Sequence, residues 1–113
     1  MAHVLIIDDD ETRFDILALA AREIIGDCEI EYSRTFVDNW DDYALVMLDH
    51  DLGSGGGDMS RHVRKAFPEG YDNPNTVIVI HSMNPVGAGH IRDILGRGII
   101  LPFGALLSRF SQK

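Results

Sequence analysis

Apolar stretches punctuate the chain, and the longest of them stop on polar groups. Val4-Leu5-Ile6-Ile7 runs into Asp8-Asp9-Asp10, Ala44 to Leu48 runs into Asp49, and Thr76-Val77-Ile78-Val79-Ile80 runs into His81-Ser82. Continuous runs rich in β-branched residues and bounded in this way predict strands buried on both faces. Glu29-Ile30-Glu31-Tyr32 predicts a shorter strand, and Ile99-Ile100-Leu101 a last one that stops at Pro102. Between the strands the spacing changes. Phe14, Leu17, Ala18, Ala21, Ile24 and Ile25 recur at helical intervals. They predict an amphipathic helix over residues 11 to 25, with Asp9 or Asp10 as N-cap and Gly26 as its stop. Asp58 is expected to cap a helix through Phe67 that turns Val63, Ala66 and Phe67 inward. Asn84-Pro85 reads as N-cap and first residue of another helix, ending at Gly96 or Gly98. Ala105 to Phe110 has room only for a stubby helix. Phe36 and Trp40, four residues apart, would line one face of a short helix within residues 33 to 43. Leu52 to Gly57 is glycine-rich and reads as a flexible loop. Strands alternating with helices predict a parallel sheet covered on both faces, a three-layer α/β sandwich.

Composition narrows the picture. A chain of 113 residues fits one domain, 1–113, and its 45% apolar content suffices for a core without staples. The single cysteine, Cys28, leaves no internal disulfide, which suits a reducing, cytoplasmic setting. The apolar run at the start is too short for a signal peptide or a membrane span. The formal charge of −8, with no basic stripe, argues against strong nonspecific binding of nucleic acid. The acids gather at Asp8-Asp9-Asp10, at Asp41-Asp42, and at Asp49 with Asp51. Converging carboxylates repel one another, and a hard divalent cation, Mg²⁺ or Mn²⁺, relieves that repulsion.

The candidate chemistry sits where the strands end. In an open parallel sheet, ligands bind beyond the carboxyl ends of the strands, near the switch in strand order. Asp8, Asp9 and Asp49 are therefore candidate metal ligands, and Asp49 beside a metal is a candidate nucleophile toward phosphorus. Asp10 and Asp58 are explained as readily by helix capping. Asp49 is not, because a glycine loop follows it. His81 is a candidate general acid, metal ligand or phosphate donor, or else a neutral histidine satisfied by the backbone. Ser82 and Asn84 are candidate phosphate donors at a helix start, Asn84 being equally a plain N-cap. Arg13 can reach an anion or pair with Asp10. Asp49-His50-Asp51 also forms a D-x-D element of the kind used by haloacid-dehalogenase phosphatases, where it follows the first strand, and by Toprim domains, where it lies on a later strand but a glutamate, not an aspartate, follows the first; the layout here fits both poorly.

The segments "VLIIDDDE", "ALVMLD", "VIVIHS" and "LPF" follow the order and approximate spacing of receiver domains of two-component response regulators. The resemblance covers essentially the whole chain. It implies a flavodoxin-like sandwich with five parallel strands. It also implies Mg²⁺ binding by Asp8 and Asp9, phosphoryl acceptance by Asp49, a metal contact from the backbone carbonyl of Asp51, and a phosphate-sensing role for Ser82 or His81. Two departures stand out. Receivers carry a lysine before the late proline, where this chain has Leu101, and the segment after Asp49 is His50-Asp51-Leu52-Gly53 in place of a Met-Pro turn. "LDHDLG" with "HSMNP" resembles the divergent cyclic-phosphate-processing receivers. That resemblance implies metal-dependent chemistry on a phosphorylated small molecule, a nucleotide or an RNA terminus. A stand-alone phosphoacceptor switch and a noncatalytic nucleotide- or partner-binding module are the alternatives.

Overall fold

The computed structural model describes residues 1–52 and 58–110. The glycines of the loop expected over Leu52 to Gly57 lie outside the described residues. Five strands form one parallel sheet: β1 (Ala2–Ile7), β2 (Cys28–Ser33), β3 (Leu45–Leu48), β4 (Val77–Ile80) and β5 (Ile99–Ile100). Their order is β2-β1-β3-β4-β5, so the strand order reverses between β1 and β3. This is the flavodoxin-type arrangement expected from the alternating pattern. Among the described residues four helices cover it: α1 (Phe14–Ile25), α2 (Met59–Ala66), α3 (Pro85–Leu95) and α4 (Phe103–Phe110).

Residues 4–7 of β1 and the whole of β3 and β4 are apolar at every position because both faces are covered there. Leu5, Ile7, Val46, Leu48, Ile78 and Ile80 pack with Met59 and Val63 of α2 and with Ala88, Ile91 and Leu95 of α3. The alternate residues Val4, Ile6, Leu45, Met47 and Val79 pack with Leu17, Ala20 and Ala21 of α1 and Leu106 of α4. Successive side chains in a strand point to opposite faces, so one continuous apolar run serves two cores.

Local chemistry sets the helix limits. The Asp10 side chain accepts from the Thr12 amide and opens a single 3-10 turn, Glu11–Arg13, from which α1 continues. Asp58 caps α2 through the Ser60 amide, and Asn84 caps α3 through the Gly87 amide with Pro85 in the first turn. Gly26 ends α1, and Gly96, in the left-handed conformation at φ 76°, ends α3. The last helix begins at Phe103, two residues earlier than the pattern suggested.

Residues 33 to 43 hold only a 3-10 turn, Trp40–Asp42. Trp40 is nevertheless fully buried, against Phe67 at 4.5 Å and Tyr71 at 5.3 Å between ring centroids. Its indole Nε1 donates to the Val37 carbonyl at 2.6 Å. The indole thus anchors an otherwise irregular connection to the α2/α3 face. Trp40→Ala should lower the free energy of unfolding by about 3–5 kcal/mol. Urea titration checks this; a loss below about 1 kcal/mol would mean that the segment is not part of the core.

Candidate functional site

Strand register builds the site. Ile7 pairs with Leu48, and Leu48 pairs with Ile80. The ladder continues one residue further: the Asp49 amide donates to the Ile7 carbonyl at 3.0 Å and the His81 amide to the Leu48 carbonyl at 2.9 Å. The residues that follow the three strands, Asp8, Asp49 and His81, therefore stand side by side at one end of the sheet. One oxygen of each carboxylate and one imidazole nitrogen lie within 4.8 Å of one another.

All three side chains are buried, Asp8 and His81 completely and Asp49 to 5% exposure. His81 Nε2 is 2.9 Å from Asp8 Oδ2. The other Asp8 oxygen accepts from the Asp10 amide at 2.8 Å, and Asp49 Oδ1 accepts from the His50 amide at 2.9 Å. His81 Nδ1 is buried without a hydrogen-bond partner among the described residues. Burial, reinforced by the nearby Asp8 charge, raises the Asp49 carboxyl above its ordinary value; His81 and Arg13 oppose that rise. Two carboxylates and an imidazole this close are a donor set that could hold Mg²⁺ or Mn²⁺, with positions left for water or a phosphate oxygen.

A cavity of about 740 Å³ opens over Asp49. Asp9, Asp51, Ser82 and Asn84 line it, together with Asp10, Glu11, Arg13, Arg34 and Met83. Asp9 stands at the cavity wall, outside the buried Asp8–Asp49–His81 group. Asp51 is exposed, and its side chain turns to His50 Nδ1 at 3.0 Å. Ser82 Oγ accepts from the Asn84 amide and Asn84 Oδ1 from the Gly87 amide, so both side chains tie down the start of α3 while they line the cavity. Leu101 faces elsewhere, lining an apolar recess with Ala20, Ile24, Leu106 and Phe110.

Two residues take roles that spacing alone did not assign. The guanidinium of Arg13 lies 3.5 Å from a carboxylate oxygen of each of Asp8, Asp10 and Asp49. The sequence signal was the Asp10–Arg13 spacing, one helical turn, which accounts for only one of those pairs. His50 is buried at 8% exposure, with Nδ1 facing Asp51 and Nε2 facing Asp58 at 2.9 Å. Asp51 and Asp58 also form an antiparallel bridge, so His50 holds together the two ends of the glycine segment. A Cβ on Gly87 would lie 2.4 Å from the His50 ring; the glycine is what lets α3 approach the imidazole.

A five-stranded parallel sheet in this order, with acids at the ends of β1 and β3, defines a response-regulator-type receiver domain. Within that class the chain belongs to the cyclic-phosphate processing receiver domain family, whose model matches residues 4–97. Solved structures share the fold. The BeF3-activated DrrB receiver domain is 15% identical, with a TM-score of 0.62 over 98% of this chain and 95% of that one. The Mn²⁺-bound response regulator Rcp1 is 14% identical, with a TM-score of 0.59 over 98% and 94%. The receiver domain of a DNA-binding response regulator from Colwellia psychrerythraea 34H is 19% identical, with a TM-score of 0.57 over 99% and 97%. A comparison with curated proteins returns no match. No helix among the described residues is long and apolar enough to cross a membrane.

The raised Asp49 carboxyl carries a sign. A carboxyl held above its unfolded value of 3.8 costs the folded state nothing below that value, and the full penalty develops as pH rises through the folded value. Asp49→Asn should therefore melt at a higher temperature than the native protein at neutral pH in chelator. That advantage should shrink as pH falls toward 3.8. Thermal melts across pH test this; a variant less stable than the native protein at neutral pH would show that the pairs with Arg13 and His81 outweigh burial.

Proposed function

We propose that this receiver domain carries out divalent-metal-dependent chemistry on a cyclic or terminal phosphate, carried by a small molecule, a nucleotide or an RNA end. The observation that carries this reading is the buried Asp8–Asp49–His81 group beneath a cavity of about 740 Å³. Asp8 and Asp49 hold the cation, Mg²⁺ or Mn²⁺, with Asp9 at the cavity wall and the Asp51 backbone carbonyl completing the set. When bound, the cation supplies Lewis-acid activation of a phosphate oxygen. Asp49 borders the open cavity and is the nucleophile toward phosphorus: its oxygen bonds to phosphorus as the ester oxygen departs and takes a proton from water, and a second water then cleaves the aspartyl phosphate and restores the carboxylate, while Ser82 and Asn84 contact the phosphate. His81 is shut off from solvent and works through Asp8. Its imidazole orients that carboxylate and, when protonated, offsets its charge. The organisation is that of one cytoplasmic domain over residues 1–113.

A phosphoacceptor signalling domain is the second reading, favoured by the position of Asp49 after β3 and by the likeness in fold to response regulators. Leu101, half-buried and lining a recess on the α1/α4 side, counts against it, because it brings no charge to a phosphoryl group on Asp49.

Mn²⁺ at about one hundred times its dissociation constant should add about 2.7 kcal/mol of stability, because the folded chain binds the ion and the unfolded chain does not. Asp8→Asn should remove most of that gain, and Asp9→Asn part of it. Melting curves with and without chelator read both; an undiminished response in Asp8→Asn sinks the metal site. For activity, the protein is incubated with Mg²⁺ or Mn²⁺, acetyl phosphate, and a panel of cyclic nucleotides and 2′,3′-cyclic phosphates. Product release and covalent labelling are measured together. Release that falls about 10- to 100-fold in His81→Gln, with Mn²⁺ affinity falling alongside it, is the expected result, the scale of losing a side chain that orients a metal ligand. Durable labelling of Asp49 with no turnover of any phosphoester would establish the signalling reading instead.

A further inference from the structure

We propose that Arg13 is an internal counter-ion of this site: it neutralises Asp8 and Asp49 in the cation-free protein, yields them to the divalent cation, and then pairs with the phosphate held in the cavity. The inference rests on the metal-dependent reading above and names the group that receives the anion.

Geometry carries it. A single guanidinium nitrogen, Nη1, lies 3.5 Å from Asp8 Oδ2 and 3.5 Å from Asp49 Oδ2, while Nε lies 3.5 Å from Asp10 Oδ2. Charge-assisted hydrogen bonds run about 2.7–2.9 Å, so all three contacts are Coulombic pairs without a hydrogen bond. The arginine neutralises the site without being locked to any one acid. Its side chain keeps 26% exposure and lines the same cavity as Ser82 and Asn84. The guanidinium carbon sits over the Phe103 ring, 5.0 Å from the centroid, and the Phe103 amide donates to the His81 carbonyl at 2.8 Å. That aromatic shelf is thus fixed to the strand end that carries the site, and it guides the head group without using its donors.

Charge supplies the second argument. Asp9, Asp10, Glu11, Asp49 and Asp51 all line the cavity, which repels a phosphate unless cations answer them. Arg34, the other cation among the described lining residues, is paired with Glu11 at 2.9 Å. With Asp8 and Asp49 holding a divalent ion, Arg13 would lose both partners, and its guanidinium would turn from the ion toward the cavity. Five N–H donors in a planar fork are then released beside Ser82 and Asn84, in a geometry that suits phosphate oxygens. Arg13 in this way supplies from the start of α1 the charge that Leu101 does not supply from the end of β5.

The test measures two affinities in native protein, R13Q and R13K. Mn²⁺ binding is followed by electron paramagnetic resonance, and inorganic phosphate is titrated calorimetrically into Mg²⁺-saturated protein. R13Q should bind Mn²⁺ about threefold to tenfold tighter, the scale of losing partly exposed ion pairs. It should bind phosphate about tenfold or more weakly, the scale of lost charged hydrogen bonds. R13K, whose one ammonium cannot face three carboxylates, should shift both affinities in the same directions by less, and it decides the matter if R13Q does not fold. Native protein that binds Mn²⁺, with variants whose Mn²⁺ affinity is unchanged or weaker, or whose phosphate affinity is unchanged, overturns the role of Arg13 and leaves the metal reading standing. Native protein that binds no Mn²⁺ removes the metal reading and this inference with it.

Discussion

Two carboxylates, Asp8 and Asp49, are carried out of water and held beside each other by the pairing of β1 with β3. Everything at this end of the molecule answers that constraint. The backbone bonds that continue from Ile7 to Asp49 and from Leu48 to His81 fix the approach. The pairs Ile7–Leu48 and Leu48–Ile80 beneath them are the register that brings the acids to one level. Burial first, and then the nearby like charge of Asp8, raise the Asp49 carboxyl above its ordinary value and disfavour the folded state. His81 offsets it from one side, through its 2.9 Å contact to Asp8, and Arg13 from the other. Two carboxylates and an imidazole gathered in this way form a group that could hold a metal ion, whose charge would relieve that repulsion.

The two sides of the sheet serve that site differently. On the α2/α3 side, His50 links Asp51 to Asp58 and packs against Gly87, so the ends of the glycine segment and the start of α3 share one buried imidazole. Substituting Gly87 would press on that ring and, through it, on both acids. On the α1/α4 side the contacts are looser: Arg13 meets its three acids only at 3.5 Å and rests on an aromatic face. Rigid hydrogen bonds define one wall of the cavity, and a long charged side chain with unspent donors forms the other. The combination suits a pocket whose occupant brings charge of its own.

Leu101 shows how a family pattern and a particular chain part company. Its amide keeps the backbone link to the Ile80 carbonyl at 2.9 Å, so the strand end is built as the family's fold requires. Its side chain lines a recess with Ala20, Leu106 and Phe110. The fold thus survives loss of the charged side chain because the backbone, not that side chain, holds β5 to β4. What changes is the source of positive charge, which now comes from the turn ahead of α1.

The linear pattern determined the strands, the helices, most of their caps and the parallel sandwich, because burial on two faces demands unbroken apolar runs and helix ends demand polar caps or glycine. It also marked Asp8, Asp49 and His81, since each interrupts an apolar run at the same point. Residues 33 to 43 were less legible: Trp40 is held by distant Phe67 and Tyr71, and no local spacing encodes that contact. The roles of Arg13 and His50 were hidden for the same reason, as their partners come from separate strand ends and from the far side of the glycine segment. Only the tertiary structure decided which acids meet which bases, because strand register and helix placement act over separations that a period of two or of 3.6 residues cannot carry.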